Sequence, residues 1–81
     1  MSAAFSLSGI SLPDLIRTKL ANHLARLERV EDVQALELAQ ERAEGFVEGV
    51  EAARVLTPAT IEALFVAAEE AAAARRQVLT P

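Results

Sequence analysis

Five carboxylates, Glu37, Glu41, Glu44, Glu48 and Glu51, recur at spacings of four, three, four and three, and a lone histidine, His23, stands among Leu20, Leu24 and Leu27. Carboxylates and imidazoles are the groups of acid–base catalysis and metal ligation, so any chemistry in this chain has to involve them. A helix of 3.6 residues per turn strings the five Glu side chains into one continuous stripe, each beside a like-charged neighbour instead of converging on a point. No Glu-x-x-His, His-Glu-x-x-His or calcium-loop spacing is present, and Gly45 and Gly49 fall inside a helical stretch with no Lys-Ser/Thr after them to cradle phosphate. A single His and no Cys give no nucleophile–base pair that the sequence can bring together. The expectation is therefore a protein that is not an enzyme and holds no metal and no cofactor, with His23 as a core or interface residue satisfied by a hydrogen bond.

Binding is the chemistry that remains for the stripe. Like-charge pairs at i,i+4 each cost a few tenths of a kcal/mol, and only Arg42 and Arg54 lie in the same helix to offset them. One reading is a solvated face. The other is a surface that receives a basic partner, either the first helix of another copy or a separate protein; mimicry of a nucleic-acid backbone in a basic groove is a sharper form of the same idea. The charge distribution supports the contrast, since residues 1–30 carry four bases against two acids, 31–56 two against seven, and 57–81 two against three.

The elements that position these residues follow from apolar spacing. Leu12, Ile16, Leu20, Leu24, Leu27 and Val30 recur at three and four, which predicts a helix over about 12–30, with Ser11 as N-cap, Asp14 closing a shortened capping box and Ile10 stapled to Leu15. The phase slips at Val30-Glu31-Asp32. A second set, Leu36, Ala39, Ala43, Phe46, Val50 and Ala53, predicts a helix over about 33–55 with Asp32 as a cap. One long bent helix across that junction is an alternative, because no Gly or Pro marks it. Leu56-Thr57-Pro58 is a firm start signal, with Thr57 as N-cap and Pro58 at N1, for a third helix over about 58–78 presenting Ile61, Leu64, Phe65, Ala68, Ala71, Ala72 and Leu79. The fold class is thus all-α, three helices, the last two forming an antiparallel hairpin. Gly45 and Gly49, one turn apart with Leu38, Ala52 and Leu56 on their side, are expected to pack closely against the Ala-rich third helix. The expected helix-packing or dimer residues are Leu20, His23, Leu24, Leu27, Leu36, Ala43, Gly45, Phe46, Gly49 and Val50. Arg75 and Arg76 fall near the end of the third helix, where they favour its dipole.

Residues 1–10 are uncharged and Ser-rich, which reads as a flexible arm ahead of a single helical domain over 11–81. The alternation of Phe5 and Leu7 with serines is a short strand pattern, and these two residues join the five glutamates as candidate protein contacts.

Length and composition bound the function. At 81 residues, 52% hydrophobic and 25% charged, the chain is one domain. A core this small rarely contributes more than about 3–5 kcal/mol, and without Cys there is no disulfide to help, so self-association, most simply a homodimer, or a larger protein partner is expected. A net charge of −4 disfavours nucleic acid as the partner. No basic segment precedes the short apolar stretch at the N-terminus, and no run of about 18 apolar residues occurs, so neither a secretion signal nor a membrane span is expected and the cytoplasm is the expected compartment.

The stretch Ala43-Glu44-Gly45-Phe46-Val47-Glu48-Gly49-Val50-Glu51-Ala52-Ala53, followed by Val55-Leu56-Thr57-Pro58 and Ile61-Glu62-Ala63-Leu64, resembles the helical hairpins of small accessory and inhibitor proteins of bacterial phages and mobile elements. The resemblance covers under half of the chain. It implies an inhibitor or adaptor of host machinery, anti-CRISPR and other counter-defence proteins included. Two alternatives come from other classes: a dimeric DNA-binding regulator or antitoxin, in which a short N-terminal strand precedes the helices, and a secretion-type chaperone or small assembly subunit with an open apolar groove.

Overall fold

A computed structural model describes residues 9–81, and three helices account for most of them: α1 (Asp14–Arg29), α2 (Val33–Ala53) and α3 (Pro58–Leu79). The expected three-helix, all-α architecture is found. Each pair of helices is in contact, α2 with α3 most extensively, in a body of 37 × 23 × 18 Å.

The two later boundaries follow their side-chain chemistry. Asp32 caps α2, its Oδ1 accepting from Ala35 N–H at 2.7 Å, and the chain breaks between α1 and α2 instead of bending through. Thr57 caps α3, Oγ1 accepting from Thr60 N–H at 3.2 Å, with Pro58 in the first turn, where its missing N–H is not needed. α2 ends at Arg54, which adopts the left-handed region (φ 57°) and donates its N–H to Glu51 O at 3.1 Å. A side chain there costs about 1–2 kcal/mol relative to glycine, and the helix stops at Ala53, close to the expected end near 55.

The first boundary departs from expectation. α1 begins at Asp14, with Pro13 as a cap residue that makes no side-chain bond, so the Ser11–Asp14 capping box does not form. Pro13 forces this, because a residue preceding proline is pushed out of the α region and Leu12 therefore cannot be a helical residue. The chain instead runs extended, Leu12 enters the core, and Ile10 packs partly buried against it. The packed domain accordingly includes Ile10, a residue assigned by sequence to the arm.

One core serves all three helices. Leu20, Leu24 and Leu27 of α1 and Leu36, Val47 and Val50 of α2 meet the small side of α3, where Ala67, Ala68, Ala71 and Ala72 are buried beside Ile61 and Leu64. Large side chains facing an alanine row let the helices approach closely, and each fully buried Leu or Val contributes about 1.5–3 kcal/mol. On α2 the buried row is Leu36, Ala39, Ala43, Val47 and Val50, not the strict heptad. A seven-residue repeat drifts about 20° per heptad around a straight helix. In the second heptad the drift carries Phe46 to the edge of the core and brings Val47 to full burial, and in the third it carries Ala53 out to solvent.

Candidate functional site

The glutamate stripe is present as a surface. Glu37, Glu41, Glu48 and Glu51 are exposed on α2, and Glu44 is half-buried, its carboxylate accepting from Gln40 Nε2 at 3.3 Å. Turning about 100° per residue, α2 carries three rows in sequence around its circumference: Phe46 on the α1 side, the buried core row, and the glutamates beyond it, on the side away from α1. Phe5 and Leu7, the other two candidate contacts, lie outside the described residues.

Of the expected packing residues, Leu20, Leu24, Leu27, Leu36, Ala43 and Val50 are buried within the chain's own core, so the face they form is already filled by neighbouring helices. Among the described residues Gly45 and Gly49 are not part of any helix contact. A Cβ built on either meets nothing within 4 Å, and Leu38 and Ala52 beside them are exposed, Leu38 by 58%. The close packing against α3 expected of this side does not occur, because α3 takes the row with the larger side chains and therefore the larger apolar burial.

His23 is half-buried in the groove between α1 and α2, its ring centroid 5.1 Å from that of Phe46 with the planes tilted by 32°. Among the described residues that ring contact replaces the expected hydrogen bond. Burial first, then the positive charges of Arg26, Arg42 and Lys19, hold the imidazole below its ordinary pKa, so the neutral form is favoured. Arg26 Nη1 is shielded from solvent and has no hydrogen-bond partner among the described residues. The groove is therefore a concentration of positive charge on an acidic protein. The spacing of Lys19, His23 and Arg26 sets them on one side of α1, but Arg42 joins them only once α1 and α2 pack.

A hollow of about 320 Å³ at the α2–α3 corner is lined by Glu51, Arg54, Leu56, Pro58 and Ile61. Its lining offers one carboxylate and one guanidinium and otherwise only apolar side chains. Among the described residues no three His, Cys, Asp or Glu side chains are placed to hold a metal ion, and no helix is long and apolar enough to cross a membrane. No family model, no curated protein and no solved structure matches the chain.

Proposed function

We propose that this protein is a non-enzymatic interaction module, an inhibitor or adaptor whose α2 carboxylate row receives the basic surface of a partner protein. The observation that carries this reading is the placement of the row. Four of its five carboxylates are exposed, and Glu37, Glu41, Glu44 and Glu48 have no Lys or Arg three or four residues away on α2, so the row is not neutralised along its own helix. Repulsion along the row is relieved when cations are brought to it from outside, and such contacts also speed and orient encounter. The resemblance to small accessory proteins of phages and mobile elements favours host proteins with cationic grooves as partners, in the manner of anti-CRISPR and other counter-defence inhibitors.

The test compares proteins captured from a bacterial lysate by the wild-type chain with those captured by a variant combining Glu41→Lys, Glu44→Lys and Glu48→Lys, with helicity checked by circular dichroism. Basic proteins retained by the wild type and lost by an equally helical variant support the reading. The same captured set from both proteins overturns it.

A further inference from the structure

We propose that two copies of this chain pair through the solvent faces of their α2 helices, parallel and about a two-fold axis running along them, so that the carboxylate row of each copy meets the cationic groove of the other.

The groove and the row are complementary in charge, and each is left uncompensated along its own helix. Lys19, Arg26 and Arg42 all lie within electrostatic reach of His23, on the two walls of the α1–α2 groove. No Asp or Glu stands three or four residues from any of these three bases, just as no base stands so from Glu37, Glu41, Glu44 or Glu48. Arg26 adds to this uncompensated charge, since one of its guanidinium nitrogens has no acceptor among the described residues.

Helix geometry then selects the arrangement. Counting about 100° per residue, Arg42 lies about 140° around α2 from the centre of the glutamate row, and the solvent face between them is formed by Leu38, Gly45, Gly49 and Ala52. That face carries no charge, and no described residue stands above Gly45 or Gly49 to keep a second backbone away. Rotation by 180° about an axis parallel to α2 exchanges its left and right edges, so a parallel pair brings acid to base along both sides at once. An antiparallel pair would set acid against acid and base against base. The parallel two-fold also closes on itself, which a one-sided insertion of row into groove would not, and so gives a dimer instead of a filament. Pairing does not depend on the partner reading above, but it covers the same carboxylates, so a basic partner would compete with the second copy.

The experiment uses mass in solution, by sedimentation equilibrium, at low and high salt. The wild-type chain is expected at twice 8.7 kDa in low salt and at 8.7 kDa in high salt. Arg42→Glu makes both edges of α2 acidic, and Glu41→Lys with Glu44→Lys turns the part of the acidic edge level with Arg42 basic; each protein alone is expected to pair more weakly than the wild type, and their mixture to form a heterodimer. The chain has no cysteine, so Ala52→Cys places one thiol on the exposed face, and in a parallel pair it oxidises to a disulfide-linked dimer. A wild type that stays monomeric at low salt overturns the proposal while leaving the partner reading to its own test. A dimer indifferent to salt, or one in which Ala52→Cys fails to cross-link, overturns it as well.

Discussion

Arg75 Nε in α3 donates to the carbonyl oxygen of Val30 at 2.7 Å, across 45 residues of sequence. Val30 is the residue at which α1 ends, extended at ψ 146°, and its carbonyl lies outside the helical ladder. A guanidinium from the opposite end of the chain satisfies that carbonyl and ties the α1–α2 corner to α3. The role assigned to Arg75 from sequence, favouring the dipole of its own helix, overlooked this bond because nothing local encodes a partner 45 residues away.

Replacing Arg75 with Met keeps the side-chain stem and removes the donor. The half-buried carbonyl then loses a charge-assisted bond, and the expected destabilisation is about 1–2 kcal/mol. Urea unfolding of Arg75→Met beside Arg76→Met checks it, since both lose one charge and only the first loses the bond; equal midpoints for the two would remove Arg75 from the corner.

The open glycines make a prediction of opposite sign. With nothing within 4 Å of either Cβ position, Gly45→Ala and Gly49→Ala are each expected to stabilise the chain by about 0.5–1 kcal/mol through helix propensity alone. Unfolding in high salt, where charge-driven pairing is screened, isolates this effect, and a lowered midpoint would mean that α2 is packed on this side after all.

His23 gives the pH dependence. Its pKa is lowered from 6.5 in the folded chain, so between the folded and unfolded values the unfolded chain binds more protons and stability rises with pH. The contribution of His23 is complete above about pH 6.5 and is lost as the pH falls below it. Thermal melts between about pH 7.5 and 5 should show a decline on acidification that is shallower in His23→Gln; parallel declines in the two proteins would assign the sensitivity elsewhere.

What was legible in the sequence depended on whether the deciding partner was near in the chain. Thr57-Pro58 and Asp32 are local signals, and the structure honours both. Ser11 was also a local signal, but Pro13 restricts Leu12 and moves the start of α1 to Asp14, a rule the sequence itself contained. The alternation of three and four on α2 is a period of seven, which is right for Leu36, Ala39, Ala43 and Val50 and wrong at Ala53 and at Phe46, where the drift exchanges Phe46 for Val47. The glutamate row was legible because exposure of a charged stripe needs no knowledge of neighbours. The cationic groove was not, since Arg42 joins Lys19 and Arg26 only after α1 and α2 have packed through His23 and Phe46.

Segregation of acid and base onto opposite edges of α2 gives the molecule an electric dipole moment across its width, which its net charge of −4 does not describe. At physiological ionic strength the field of that dipole decays over about 8 Å, less than the diameter of a helix. A charged surface therefore exerts little pull from afar but a strong torque at the last approach, turning the molecule until one edge faces it. Association rates should fall with added salt more steeply than the net charge alone would require, and collisions that present the wrong edge should separate without committing.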